Sequence, residues 1–345
     1  MIAEPGRARA ADDTPAVQVV IPATRSQAVV ALVRQLIEHE LHHGAIVVDD
    51  TLDGRVATAL GGLPVRVLRS MAVGSGGARN AGVEAVRATW VLFLDDDVVL
   101  PADFGATVRR HVALAADDVA IIGPTVSPVG DVCRPYWRCR LVDTRGSFIT
   151  ACLLVRRDAY LAVGGCRPTR YQYREDTDLW LRIVDRGHRD LMTGELSVRH
   201  PVERMSLARY LRTARHCRED AWFSRRHPSY FGSSGRKLVI GPLTLSHFRW
   251  RLPLLGLAAV VPLALVARSP WAAVVGPLAV GFALNLVHLS AVRRAGVRVP
   301  VAAALDPIEI AVHAAWGVVA GCARAAGEVD CLRHPPEEPP GLRRS

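Results

Sequence analysis

Val91-Leu92-Phe93-Leu94-Asp95-Asp96-Asp97 decides the reading of this chain. Four apolar residues in a row read as a strand buried on both faces. The three carboxylates cannot follow it into a core, because unpaired charge is too costly to bury. They stand at the strand's C-terminal end, where open α/β sheets form their ligand crevice. Adjacent carboxylates there suit a hard divalent cation, Mg2+ or Mn2+, which takes oxygen ligands and keeps positions for a substrate phosphate. An acidic turn closed by Pro101 is the plain alternative.

Upstream, the pattern builds a parallel sheet. Val17 to Ile21 is a strand stopped by Pro22. Residues 26 to 40 place Val29, Val30, Leu32, Val33, Leu36 and Ile37 at helical spacing, and Ala45 to Asp50 is a second strand ending in acids. Strand, helix and strand in quick succession make a βαβ unit. Val65 to Leu68 is a short third strand. The stretch Gly74-Ser75-Gly76-Gly77-Ala78-Arg79-Asn80 then opens a helix. It departs from a dinucleotide-binding fingerprint, since Arg79 stands at the last glycine position and the loop follows the third strand rather than the first. A glycine loop with an arginine at a helix N-terminus still suits phosphate.

Downstream, residues 102 to 115 read as helix, Val119 to Gly123 as strand, and 124 to 146 as loop. Ser147 to Val155 reads as strand and Arg157 to Val163 as a short helix. Leu179, Ile183 and Val184 share one helical face, with Glu175, Asp176 and Asp178 at its start, where the helix dipole favours negative charge. For Asp178, capping and function weigh equally. Leu196 to His200 is a last short strand, and His200 taken alone reads as structural.

The 345 residues are 50 % hydrophobic with a net charge of +10. The charge is uneven: residues 199 to 251 hold twelve Lys/Arg and three Asp/Glu. Leu252 to Ala267 and Trp271 to Val292 carry no charged residue, and Pro307 to Gly321 carries Glu309 alone. Two or three membrane helices are expected from these stretches. Arginines before the first and after the second place the preceding domain on the cytoplasmic side of the cell's inner membrane. The basic segment then reads as lipid-facing, and no motif supports nucleic acid. The first fifteen residues are polar, with no secretory signal. Seven cysteines without metal spacing read as reduced. The expected division is a disordered N-terminus 1–15, a catalytic domain 16–203, a basic amphipathic helical region 204–251, a membrane region 252–326 and a disordered tail 327–345.

The order of these pieces resembles the family 2 glycosyltransferases of GT-A fold. The matching stretches are Val20-Ile21-Pro22, Val47-Val48-Asp49-Asp50, Gly77-Ala78-Arg79-Asn80-Ala81-Gly82, Phe93 to Asp97 with Pro101, and Glu175-Asp176-Thr177-Asp178-Leu179. Thr51-Leu52-Asp53 replaces the family's usual Gly-Ser after the paired acids. The resemblance implies a mostly parallel α/β sheet that binds a nucleotide-sugar, followed here by the C-terminal transmembrane helices. It implies that Asp50, with Asp49, holds the nucleotide base, and that Pro22, Ala23 and Thr24 line the same pocket. Arg79 would reach ribose or diphosphate. Asp95 and Asp97 match the metal motif, Asp96 would touch ribose or metal, and His200 matches a further metal ligand. Asp176 matches the catalytic base, with Glu175 and Asp178 as candidates for acceptor contact or support.

The expected activity is metal-dependent, inverting hexosyl transfer from a nucleotide-sugar, UDP-linked by preference, to a hydroxyl of a lipid-linked or cell-envelope glycan. The expected partners are donor, acceptor and membrane lipids. A nucleotidyltransferase is the first alternative, but it calls for a basic phosphate loop after the first strand, where Pro22-Ala23-Thr24-Arg25-Ser26 stands. A non-catalytic scaffold retaining the fold is the second.

Overall fold

The computed structural model describes residues 16–132, 134–140, 142, 148–167, 174–227, 230, 237–240, 243–246, 272–294 and 299–333. Strands β1 (Val17–Ala23), β2 (Ile46–Asp49), β3 (Arg66–Arg69) and β4 (Trp90–Leu94) alternate with helices α1 (Ser26–Glu38), α2 (Arg55–Ala59) and α3 (Gly74–Glu84). Helix α4 (Phe104–Leu114), β5 (Val119–Val129) and the two-residue β6 (Cys139–Arg140) follow. Next come β7 (Cys152–Arg156), α5 (Arg157–Ala162), α6 (Glu175–Asp185) and β8 (Arg189–Pro201). One sheet orders these strands β3-β2-β1-β4-β7-β5-β8. The pairs β3/β2, β2/β1, β1/β4 and β5/β8 are parallel, and β7 runs antiparallel between β4 and β5.

Strand β4 is central, and its residues serve two cores. Leu92 and Leu94 pack with Val29, Leu32 and Leu36 of α1 on one face. Val91 and Phe93 pack with Ala78 and Val83 of α3 on the other. All four are fully buried, each worth roughly 1.5–3 kcal/mol of transfer energy. Helix α3 lies unusually close to the sheet. A Cβ on Gly82 would come within 2.4 Å of Val20 Cγ1 and 3.2 Å of Val48 Cγ2.

Strand β5 runs to Val129, through a stretch read from sequence as loop. Pro124 and Pro128 suggested a break. The ladder with β8 shifts register between Gly123 and Thr125, and this irregularity lets the strand pass a proline. Strand β8 is correspondingly long at 13 residues.

The C-terminal part departs from expectation. Strand β9 (Glu203–Arg204) pairs antiparallel with β6. Helix α7 (Leu207–Thr213) is capped by the Ser206 side chain and leads through one 3-10 turn into α8 (Cys217–Arg226). The basic stretch 204–251 is not helical throughout, because Lys237–Ile240 and Leu243–Ser246 form an antiparallel strand pair, β10 and β11. Helices α9 (Ala272–Arg294) and α10 (Pro307–Arg333) pack on each other, and α10 also packs on α8. Among the described residues no helix is long and apolar enough to cross a membrane. The spans expected over 271–292 and 307–321 are not supported; their described residues form a packed helix pair whose polar groups are buried against neighbouring elements. Asn285 of α9 donates to the carbonyls of Ala303 and Ala304. Glu309 and His313 of α10 are buried too. The expected span 252–267 lies outside the described residues, as do the expected N-terminus 1–15 and residues 334–345 of the expected tail, whereas residues 327–333 of that tail are the last turns of α10. Cys139, Cys152, Cys166 and Cys217 are buried, and Cys322 is exposed.

Candidate active site

A cavity of about 620 Å³ opens at the C-terminal ends of β1, β2 and β4. One wall comes from those strand ends and the start of α3: Pro22, Ala23, Thr24, Arg25, Asp50, Ala72, Gly74, Ser75, Arg79, Asp95 and Asp96. The other comes from β6, the approach to β7 and the start of α6: Arg140, Thr150, Arg174, Glu175, Asp176 and Thr177.

The paired acids after β2 do different work. Asp49 does not line the cavity. It is fully buried and accepts from the Thr51 N–H and hydroxyl and from the Ala57 N–H at 3.0 Å. Against the cost of burial, these donors and Arg69 hold its carboxyl below the usual value. Its expected donor-binding role is corrected to that of a clamp on α2. Asp50 does line the cavity and accepts from Ser70 Oγ, Val73 N–H and Gly74 N–H at 2.7, 2.8 and 2.9 Å. It thereby ties down the loop between β3 and α3, where Met71 and Ala72 take positive φ of 60°. Backbone held in that region at a cavity edge is strain retained by its surroundings.

The three acids after β4 point three ways. Asp95 Oδ1 accepts from Arg79 Nη2 at 2.8 Å. Asp96 Oδ2 accepts the backbone N–H groups of Thr24 and Arg25 at 2.8 and 2.9 Å, fastening the end of β1 over the site. Burial pushes its carboxyl above the usual range despite these donors. Asp97 lies beside the cavity rather than on its lining, in contact with the Arg25 guanidinium and with Oδ1 3.4 Å from His200 Nε2. His200 is 9 % exposed, and its Nδ1 lies 3.0 Å from the Pro201 carbonyl, which makes Nδ1 the donor and, in the neutral imidazole, puts the lone pair on Nε2.

This corner fits a divalent cation. Asp97 Oδ1 is buried with no hydrogen-bond partner, and the lone-pair nitrogen of His200 faces it. Among the described residues no three metal-ligating side chains converge on one point. The donor set is thus two groups, with Asp95 nearby, and a substrate phosphate has room to supply the rest.

Arg79 is 3 % exposed and spans both walls. Nη1 donates to Glu175 Oε1 at 2.9 Å while Nη2 holds Asp95. Burial alone would lower the guanidinium, but the two carboxylates outweigh it and hold its pKa above the usual value. Glu175 also accepts from Ser75 Oγ at 2.6 Å.

Asp176 is partly exposed into the cavity, and its Oδ1 accepts the Thr177 N–H at 2.7 Å. Burial of the carboxyl and the adjacent Glu175 charge raise its pKa above the ordinary value of 3.8, although Thr177, Arg79 and Arg174 pull the other way. Asp178, two residues on, faces away from the cavity. It meets Arg182 at 2.8 Å and His227 at 2.9 Å, with Arg167 and Arg226 within 4 Å. Against burial, His227, Arg182 and Arg167 hold it at about 2. Expected at acceptor contact or as support, it is an ion-pair hub that joins α6 to α8 and lies off the cavity lining.

Arg25, Ser75, Arg140, Thr150 and Arg174 line the cavity without having been singled out in the sequence. Ser75 stands inside the glycine stretch and Arg25 follows Thr24, so those two had a local signal. Arg140 and Arg174 come from loop-like sequence and had none. Arg174 takes φ 62° at the N-terminus of α6, and its Nε donates to Asp220 at 2.6 Å.

Comparison with known proteins agrees with this geometry. Residues 18–177 match the model of glycosyl transferase family 2. No curated protein sequence matches the chain. Among solved structures, the mannosyltransferase PcManGT from Pyrobaculum calidifontis, in complex with GDP-Man and Mn2+, aligns over 91 % of this chain and 88 % of its own at 18 % identity, with a TM-score of 0.50. Glucosyl-3-phosphoglycerate synthase from Mycobacterium tuberculosis, in complex with Mn2+, UDP and glucosyl-3-phosphoglycerate, aligns over 67 % and 86 % at 14 % identity, with a TM-score of 0.43. Residues 18–177 thus carry a domain similar to glycosyl transferase family 2, the fold is GT-A, and the chain is a glycosyltransferase.

Proposed function

We propose that the enzyme transfers a sugar from a nucleotide-sugar, UDP-linked by preference and GDP-linked as the second candidate, to a hydroxyl of a lipid-linked or cell-envelope glycan, with inversion. The observation that carries this is Asp176: one carboxylate of raised pKa facing the cavity from α6, across from the carboxylates that end β4.

The leaving group is a nucleoside diphosphate, whose negative charge must be met. A divalent cation held by Asp97 and His200, with Asp95 beside them, supplies Lewis-acid neutralisation of that charge when bound. The protein adds the N-terminus of α3 at Ser75, where the helix dipole favours phosphate, the Gly74 N–H being taken by Asp50. Asp50 and the Pro22-Ala23-Thr24 edge enclose the nucleoside. The acceptor hydroxyl loses its proton as it attacks the anomeric carbon, and Asp176 takes that proton as general base. A raised pKa makes it the better base. A single base with no second carboxylate placed as nucleophile gives one displacement, hence inversion.

The C-terminal helix pair presents an apolar face. Leu278, Phe282 and Leu286 stand one turn apart on α9, 41, 36 and 44 % exposed. Such a stripe supports attachment at a bilayer surface on the cytoplasmic side, where a lipid-linked acceptor would be met.

Calorimetric binding of a nucleotide-sugar panel to the full chain, with Mn2+ and then with EDTA, tests the reading. Metal-dependent binding of one UDP- or GDP-sugar, lost in Asp97→Ala, is the expected result. A folded protein that binds none of the panel would overturn it in favour of a scaffold.

A further inference from the structure

The second wall of the cavity is held from the far end of the chain. Glu309, in the first turn of α10, is 1 % exposed. One of its oxygens accepts the Tyr136 N–H, and the other accepts the Trp137 N–H at 3.2 Å. From α9, His288 Nε2 lies 2.8 Å from the Tyr136 carbonyl and donates to it. The peptide group linking Tyr136 to Trp137 thus has its C=O taken by one C-terminal helix and its N–H by the other. The side chains repeat the pattern. Tyr136 packs with Leu289, Val292 and Ala303, and Trp137 packs with Met205 and Tyr210, with Val312 and Trp316 alongside.

Three residues further on stands Arg140 of the cavity wall. Its backbone belongs to a two-residue ladder, Cys139–Arg140 against Glu203–Arg204. Its guanidinium reaches Glu203 at 3.6 Å and is 59 % exposed. A buried carboxylate is an expensive way to pack a helix, since an apolar residue of similar size avoids the desolvation. Two oxygens spent on consecutive N–H groups set the position of one turn, which an apolar contact would leave free to slide.

We propose that Glu309 is a positioning residue for sugar transfer: through the Tyr136–Trp137 turn it holds Arg140 on the cavity wall that carries Asp176, the base read above as taking the acceptor's proton. The inference rests on the transferase reading of that cavity. It makes the C-terminal helix pair part of the active-site architecture, although among the described residues its helices supply none of the cavity lining.

The test uses the full chain and Glu309→Gln, which keeps the size but replaces one acceptor with a donor. Cys139, fully buried beside Arg140, reports on the wall, while Cys152 and Cys166 report on the core. Iodoacetamide labelling resolved by mass spectrometry should show Cys139 reacting at least tenfold faster than in the wild type, with Cys152 and Cys166 still protected. The dissociation constant for the donor should stay within twofold. In the transfer assay the acceptor KM should rise about tenfold, kcat should change less, and in an Arg140→Gln background Glu309→Gln should add nothing. His288→Ala, which frees the same peptide from its other side, should give a weaker version of the pattern and serves if Glu309→Gln does not fold. An unchanged Cys139 rate, exposure of all three thiols together, a shift in donor rather than acceptor KM, or additive effects with Arg140→Gln would each overturn the proposal. Labelling needs neither donor nor acceptor, so it separates failure of this inference from absence of donor binding in the wild type, which would strike the transferase reading itself.

Discussion

Arg79 and Glu175 form an ion pair of 2.9 Å although 96 positions separate them in the chain. Arg79 lies on α3 and Glu175 opens α6. The same guanidinium holds Asp95 at the end of β4. One planar fork thus sets the spacing between the strand-end acids and the residue next to Asp176.

Arg79→Lys should be far from conservative. A lysine ammonium is a single point charge and cannot hold both carboxylates in the fork geometry. Breaking a buried pair by removing one partner typically costs about 3–5 kcal/mol, and retaining a charge should hold the loss to about half of that. The expected outcome is a lowered melting temperature and at least a tenfold weaker donor affinity, read by thermal denaturation and calorimetry.

Asp176→Asn should abolish transfer while leaving donor binding intact. Loss of a positioned base is typically worth about 10²–10⁴-fold in rate. Among the described residues Asp176 hydrogen-bonds only to the neighbouring Thr177, so the described fold does not lean on its charge. Turnover measured beside a donor-binding isotherm distinguishes the two effects. Retained turnover would remove Asp176 from the mechanism.

The pH dependence follows from the same residue. A base works deprotonated, so activity falls as pH drops through its pKa. The pKa of Asp176 is raised from 3.8 by burial and by Glu175. The acid limb of kcat/KM should therefore lie above pH 3.8, and the residual activity of Asp176→Asn should lack it.

Asp178→Asn should cost stability and spare donor binding. The folded carboxyl sits at about 2 against an ordinary 3.8. A depressed folded pKa stabilises above the unfolded value and is lost as pH falls through the folded one. The window therefore runs from about pH 4 down to about pH 2, and the contribution is about 2 kcal/mol. Urea denaturation at pH 7 should show the mutant weaker by that order. The gap should close as wild type and mutant are compared toward pH 2.

The sequence on its own determined the element order of the catalytic half and the place of its chemistry. Strands β1, β2 and β4 were legible because a strand buried on both faces must be apolar throughout, and acids ending such a strand have nowhere to go but a crevice. Asp50, Asp95, Arg79 and Asp176 were legible for that reason and through their resemblance to a family pattern. The tertiary structure decided what adjacency in sequence could not. Neighbouring acids at a strand end point to opposite sides, so Asp49 became a helix clamp and Asp50 a cavity residue, and Asp178 turned away while Asp176 faced in. A stretch of apolar sequence reads alike whether it meets lipid or protein. Only packing shows that α9 and α10 bury Asn285, Glu309 and His313 against each other and against the domain. Arg140 and Arg174 reached the cavity through contacts made by distant segments. Such contacts leave no local trace, because their energy is set by which surfaces meet and not by the residues on either side.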